Sequence, residues 1–207
     1  MKTLILTPVI VMIFLYSGIS LAQQYYDDNG SFHYREVFEL EGKSQEQLYN
    51  SVKKWIAVNF NDANNVIKMD SKDQIIVKGL TSIQNKGEVK VDFTLDIAFK
   101  EGRYKLEMYD LDANFTVSPQ YPTVKVPTIN PDVYTVEDYK KQFIQTTIAA
   151  GGTEKMAMKS IDSKKFSDKY WPDAQEYNRQ TAKELKKTAD SFAANIKSAA
   201  GSKKDDW

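Results

Sequence analysis

The residues best placed to do chemistry are carboxylates on two neighbouring predicted β-strands. Apolar and polar side chains alternate through residues 89–113, so Asp92 and Asp96 share the polar face of one strand. A tight turn at residues 101–102 brings Glu107 opposite Asp96. Carboxylates this close together can form an acid–base pair with a raised pKa, or collect a hard cation.

Opposite charges on the same face argue against that chemistry. Three cationic residues share this face: Lys100, Arg103 and Lys105. They neutralise the carboxylates, so a solvated face of mixed charge is the favoured interpretation. A hydrolase that uses Asp92, Asp96 and Glu107 is therefore only the third hypothesis for function.

Other catalytic groups are scarce in this sequence. It has one histidine, His33, and no cysteine, so neither a thiol nucleophile nor a thiolate metal site can form. His33 lies between aromatic residues in a predicted strand, which favours an exposed strand histidine over a general base. Gly151-Gly152 lacks the preceding strand and the lysine of a phosphate-binding loop. We predict no catalytic, cofactor-binding or metal-binding residue, and no cofactor.

Net charge also limits the class of partner. Lysine plus arginine and aspartate plus glutamate balance at 28 each, which favours neither nucleic acid nor an anionic membrane surface. The polar face of the predicted sheet has Tyr109 as its one aromatic platform. No nucleic-acid partner is predicted.

The N-terminus has the pattern of an export signal. Lys2 supplies a positive charge, residues 4–16 are mostly apolar, and Ala22 closes a small-residue cleavage site. Cleavage is predicted between Ala22 and Gln23. The apolar run is too short for a transmembrane anchor, and none is predicted in the mature chain. We expect an exported protein, with the periplasm favoured over full secretion.

The chain is organised around the hairpin that carries the carboxylates. Its second face is apolar, and closing the turn at residues 101–102 fixes the register. Three apolar pairs result: Phe99 with Tyr104, Ile97 with Leu106 and Leu95 with Met108. Such a ribbon is not stable alone and needs further strands or a helix over this face.

A strand and a helix precede the hairpin. Residues 32–40 alternate, but Glu36 interrupts the apolar side, which predicts an edge strand or a bulged one. Ser44 and Gln47 fit a capping box at the start of a helix. Trp55 lies on the apolar stripe of that helix and is assigned to the core. The polar residues 23–31 are expected to form a leader of low order.

The elements after this helix complete the predicted sheet. Short strands are expected at residues 66–69 and 75–80, giving an α+β order of strand, helix and four strands. The antiparallel sheet then has about five strands.

The second half of the chain changes from strands to helices. Prolines concentrate in residues 116–132, which indicates an extended linker with a short strand at residues 123–126. A helix starts at Thr135, a second segment covers residues 153–170, and Trp171-Pro172 ends it. The predicted units are a signal peptide at 1–22, a domain at 30–115, a linker at 116–132, a helical extension at 133–200 and a tail at 201–207.

The last helix carries an apolar stripe at helical spacing. Its members are Tyr177, Thr181, Leu185, Phe192 and Ile196. Such a stripe packs either on the sheet of the same chain or on a partner chain. We single out Tyr177, Leu185, Phe192 and Ile196 as a candidate interaction stripe.

Five segments carry a resemblance to a known family. They are YREVFELE at residues 34–41, the Gly42-Lys43-Ser44 turn, EQLYNSVKKW at 46–55, the hairpin at 93–106 with its KEGRY turn, and KKDDW at 203–207. Together they resemble a family of exported Bacteroidota proteins, a domain of unknown function with a TBP-like fold. The resemblance implies a curved antiparallel sheet with helices on one face, and export. It implies no site residue.

Two functions remain besides the hydrolase. The leading hypothesis is an exported, non-enzymatic module that acts by binding a protein in the cell envelope. The alternative is a carrier that grips an apolar small molecule between the sheet and the C-terminal helix, in a cavity lined by residues such as Leu95, Ile97, Leu106 and Met108.

Overall fold

The computed structural model describes residues 23–60, 62–116 and 123–202. Ala22, the signal segment before it and the tail at 203–207 lie outside the described residues. The strands are β1 Gln24–Tyr26, β2 Phe32–Glu39, β3 Ile67–Asp70, β4 Gln74–Gln84, β5 Glu88–Lys100, β6 Arg103–Phe115 and β7 Val124–Val126. The helices are α1 Gln45–Asn59, α2 Ala63–Val66, α3 Val136–Ala149, α4 Glu154–Ile161 and α5 Trp171–Gly201, and a π-helical turn at Phe166–Tyr170 leads into α5.

The central hairpin forms in the predicted register. β5 and β6 pair through Phe99–Tyr104, Ile97–Leu106 and Leu95–Met108, and all six side chains are buried. Gly102 closes the turn with φ at +69°, a conformation that glycine adopts without steric cost.

All the described strands join one antiparallel sheet. Its order is β1-β2-β6-β5-β4-β3, and β7 pairs with the end of β6 that β2 does not reach. The predicted α+β class and antiparallel sheet are confirmed, as is the short strand at 123–126. The sheet has seven strands rather than about five because β1 and β7 extend it.

The N-terminal leader is ordered, contrary to expectation. Gln24–Tyr26 pairs with β2, and the hydroxyl of Tyr25 donates a hydrogen bond to Asp190 of α5 at 2.9 Å. The ammonium group of Lys186 lies 5.0 Å from the centre of the Tyr25 ring, within range of a cation–π contact. These long-range contacts order a segment whose own sequence is polar.

Because β1 pairs with β2 along residues 32–35, β2 is not an edge strand there. Its pairing with β1 shifts register, with Gln24 opposite Arg35 and Tyr26 opposite Phe32. Three steps on β2 match two on β1, so a bulge lies here, which was the other predicted alternative. Glu36, which interrupts the apolar face, accepts a hydrogen bond from the hydroxyl of Tyr34.

α1 forms as its cap predicts. The hydroxyl of Ser44 accepts a hydrogen bond from the backbone N–H of Gln47, whose side chain accepts one from the N–H of Ser44. Both orphan donors at the start of the helix are thus satisfied. Trp55 is buried on the inner face of α1, as predicted.

The core lies between the apolar sheet face and the pair α1 and α5. Leu185 and Ile196 are fully buried in it, while Phe192 packs against Trp55 and Phe93 with ring centres 6.2 and 5.3 Å apart. Tyr177 packs at its margin. The stripe of α5 therefore packs within its own chain, the first of the two alternatives for it.

The helical segments break at different places from those expected. Thr135 and Asp138 form the predicted capping box of α3. The second segment ends early, since α4 stops at Ile161, and Trp171-Pro172 does not interrupt the helix. Pro172 lies in the first turn of α5, directly after the π-helical turn. Among the described helices, none is long and apolar enough to cross a membrane.

Candidate functional site

The polar face of the sheet brings together part of the predicted carboxylate group. Asp96 and Glu107 face each other across β5 and β6. Asp92 pairs instead with Asp112, beyond a register shift, and four residues along a strand place it about 13 Å from Asp96. The structure thus assembles two of the three carboxylates and separates the third.

Glu107 is the centre of a cluster of opposite charges. Its side chain is 8% exposed, its Oε1 lies 2.6 Å from the Nε of Arg35, and its Oε2 accepts a hydrogen bond from Lys105. Lys105 was expected on this face. Arg35 reaches it because β2 pairs with β6 and sets Arg35 directly opposite Glu107.

The electrostatics keep Glu107 ionised. Burial alone would raise the pKa of Glu107, but the hydrogen bonds from Lys105 and Arg35 outweigh it and hold that pKa below the ordinary glutamate value. A general acid at neutral pH needs the opposite shift. Asp96 is bound differently, because both of its oxygens accept hydrogen bonds from the amide of Gln74 at 2.7 and 2.9 Å.

His33 lies beside this cluster. Its Nε2 is 3.3 Å from Oε1 of Glu107, and its ring lies 5.4 Å from that of Tyr109. Within residues 23–60, 62–116 and 123–202 there is no group of three or more histidine, aspartate or glutamate side chains positioned to hold a metal ion. The described arrangement is one of charge pairing.

A second candidate lies where the sheet meets the helical extension. This aromatic cleft has a volume of about 310 Å³, at the lower end of the roughly 300–1,000 Å³ of small-molecule sites. Its walls come from the β4–β5 turn, the ends of β6 and β7, α3, the π-helical turn and the start of α5. The lining residues include Lys86, Phe115, Lys125, Val126, Tyr134, Tyr139, Gln142, Tyr170, Asp173, Ala174 and Tyr177.

Close packing fixes the wall that the sheet contributes. A Cβ atom on Gly87 would lie 2.6 Å from the ring of Phe115, so glycine lets this ring settle against the turn. Buried Asn85 ties the same turn to α5, since its amide donates to the carbonyl of Tyr177 at 2.8 Å and to the hydroxyl of Thr181 at 2.7 Å. The turn and α5 are thereby held at a fixed separation.

Aromatic stacking fixes the opposite wall. Tyr139 stacks on Phe166 with ring centres 5.4 Å apart, and Tyr134 lies 5.8 Å from Trp171. The hydroxyl of Tyr134 donates to Gln142 at 2.7 Å, and the amide of that glutamine donates to the carbonyl of Lys125 at 2.7 Å. The cleft is therefore preformed, which lowers the entropic cost of binding.

The pair α3 and α4 presents a third surface. No residue of α3 is buried, and Ala157 is the one buried residue of α4. Large apolar side chains remain exposed near the junction of the two helices: Ile148 at 50%, Met156 at 59% and Met158 at 43%. Met156 and Met158 are two residues apart and therefore lie on different sides of α4. We refer to the three exposed side chains together as the α3–α4 apolar surface.

The architecture and the matched segment agree with a known family. Residues 34–114 match the family described as "Domain of unknown function (DUF4468) with TBP-like fold". The match begins in β2 and ends in β6, so it spans α1 and the central hairpin. The resemblance expected from the sequence is confirmed, and with it the TBP-like fold.

Two solved structures resemble the chain. A TBP-like protein from Parabacteroides distasonis has 13% identity and a TM-score of 0.52, covering 85% of this chain and 96% of that one. A DUF4468 family protein from Bacteroides ovatus has 13% identity and a TM-score of 0.45, covering 86% and 91%. No curated protein matches the sequence. At this identity the first likeness supports the shared fold alone.

Sequence reasoning missed the aromatic cleft. Tyr134 and Tyr170 lie 36 residues apart within the predicted helical extension, and neither is singled out by the sequence patterns. Their approach depends on the packing of α3 and of the π-helical turn, which no local pattern encodes. The one available signal was the density of aromatic residues in 134–177, where Tyr, Phe and Trp recur at helical spacing.

Proposed function

We propose that this chain is an exported, non-enzymatic binding module that acts on a protein partner in the cell envelope. The observation that carries the proposal is the α3–α4 apolar surface. Covering these side chains with a partner would remove apolar area from water, which favours association. The charge pairing around Glu107 supports the non-enzymatic part.

The carrier hypothesis finds no support at the site first expected for it. Leu95, Ile97, Leu106 and Met108 are buried in the core. The aromatic cleft and three other cavities of the described residues are lined by other side chains. Side chains of α1 and α5 share one core cluster with the four residues, which argues against a ligand at this place.

Photo-crosslinking in the native host tests the partner. A photoreactive amino acid at position 156 is expected to give a discrete crosslinked species of higher mass. The same amino acid at the exposed position of Lys90, on the polar sheet face, is the matched control. Equal crosslinking from both positions would contradict the proposal, and a crosslinked dimer of this chain would replace the partner with a second copy.

Export is tested separately by fractionation and N-terminal sequencing. The mature protein is expected in the periplasmic fraction with Gln23 as its first residue. Recovery of the full chain in the cytoplasm would remove the cell-envelope part of the proposal and leave the binding surface unaffected.

A further inference from the structure

We propose that the aromatic cleft binds a small planar aromatic molecule whose polar edge carries hydrogen-bond acceptors, such as a carboxylate. This site is separate from the α3–α4 apolar surface, and it does not depend on a protein partner.

The walls of the cleft select for a ring. Tyr139, Tyr170 and Tyr177 line it together with Phe115. Pairs of aromatic rings attract one another through their faces and edges, in addition to what the burial of apolar area contributes. A flexible acyl chain gains the area alone, so the cleft favours a flat ring over an alkyl chain.

The polar groups of the cleft are mostly donors. Burial raises the pKa values of Tyr139 and Tyr177, so both hydroxyls stay protonated at neutral pH. The hydroxyl of Tyr177 is closed to solvent and has no hydrogen-bond partner among the described residues. Tyr177 therefore contributes its ring to the wall of the cleft, and the donors open to a ligand come from the other polar side chains of the lining.

The charges at the cleft also favour a ligand with a carboxylate. Lys86 is exposed on the β4–β5 turn and takes part in none of the ion pairs found within the described residues. Lys125 is paired with Asp112 at 3.2 Å. Asp173 is the one acidic residue of the lining, against two lysines. Lys86 is therefore the cation available to a ligand carboxylate.

Calorimetry on the purified full chain tests the proposal with three probes of matched size. The first is 2-naphthoate, which has both the rings and the carboxylate. The second, decahydronaphthalene-2-carboxylate, keeps the charge and the two fused rings but is not aromatic. The third, 2-naphthylmethylammonium, keeps the aromatic rings and reverses the charge. We expect measurable binding of 2-naphthoate, with both other probes at least tenfold weaker.

Two substitutions locate the site. Ala174→Phe fills the cleft from the partly exposed first turns of α5 and should abolish binding of 2-naphthoate. Lys86→Gln, on a surface turn, should weaken binding about tenfold, the effect of losing one charge-assisted hydrogen bond. Lys90→Gln, on the same strand pair but outside the cleft, should leave affinity unchanged.

Three outcomes would overturn the proposal. Binding of 2-naphthoate that Ala174→Phe leaves unchanged, in a variant with wild-type thermal unfolding, would place the ligand elsewhere. Equal affinity for decahydronaphthalene-2-carboxylate would remove the role of the aromatic rings. Equal affinity for 2-naphthylmethylammonium would remove the role of the acceptor edge.

Discussion

Glu107 shows how one side chain can be buried and charged at once. Its two oxygens are engaged by Arg35 and Lys105, so the carboxylate exchanges water for charge-assisted hydrogen bonds. The side chains of Arg35 and Lys105 are 51% and 42% exposed, and solvent screens part of the attraction. The cluster therefore stabilises the pairing of β2 with β6.

Glu107→Gln should lower the free energy of unfolding at pH 7 by about 1–2 kcal/mol, because the amide cannot keep both charge-assisted bonds. The pKa of Glu107 is lowered in the folded state, so its contribution is present above the unfolded-state pKa and lost as pH falls through the folded-state value. Denaturant titrations from pH 7 to 3 should therefore show the gap to wild type closing below about pH 4.3.

The exposed Glu88→Gln serves as the control for this titration. It should differ little from wild type at any pH, since Glu88 makes none of the ion pairs in the described residues. A gap for Glu107→Gln that stays constant down to pH 3 would contradict an electrostatic origin.

Gly79 lies at a position that has no room for a side chain. A Cβ atom there would lie 2.6 Å from the ring of Phe93 and 2.9 Å from that of Phe60. Gly79→Ala should therefore destabilise the fold by about 1–3 kcal/mol through overpacking, as measured by chemical unfolding. Ser82→Ala, at an exposed position of the same strand, should have almost no effect. An unchanged midpoint for Gly79→Ala would show that the rings move aside freely.

At the scale of elements, the most accurate predictions rest on patterns in which residues close in sequence determine the local structure. The capping box at Ser44 and the alternation around Glu101-Gly102 each specify their structure through neighbours within a few residues. The sequence predicts a leader of low order at residues 23–31, whereas β1 forms there because Tyr25 bonds to Asp190, 165 residues away. The predicted second segment runs from residue 153 to 170, whereas α4 ends at Ile161. Residues 166–170 belong instead to the π-helical turn, which continues directly into α5.

The cap of α1 is testable with two serines in one helix region. Ser44→Ala removes the side chain that accepts from the N–H of Gln47 and should cost about 1 kcal/mol. Ser51→Ala, in the interior of the same helix, should be neutral or slightly stabilising because alanine has the higher helix propensity. Equal thermal shifts for both variants would show that the cap is not what starts α1.

At the scale of the whole molecule, α5 completes the core that the sheet and α1 begin. The sequence stripe predicted a buried face but left its partner open, since an apolar stripe is the same whether it packs in cis or in trans. The structure places Leu185 and Ile196 in the same core as the central hairpin. The division into a domain at 30–115 and an extension at 133–200 stays a prediction about the chain.

Leu185→Ala measures this contribution. The side chain is fully buried, and its truncation should lower the free energy of unfolding by about 2–5 kcal/mol, the range for such cavities. Lys183→Ala, exposed on the opposite side of α5, is the matched control and should change stability by less than about 0.5 kcal/mol. A small effect of Leu185→Ala would mean that α5 adds little to the core.

The pairing of β2 with β6 also has a kinetic consequence. β4, β5 and β6 follow one another through short turns, whereas Tyr34 meets Met108 only after a long loop closes, with the entropy cost that this entails. The meander should therefore assemble first and β2 join it late. In stopped-flow experiments, Ile97→Val should slow folding, while Phe38→Leu should mainly speed unfolding.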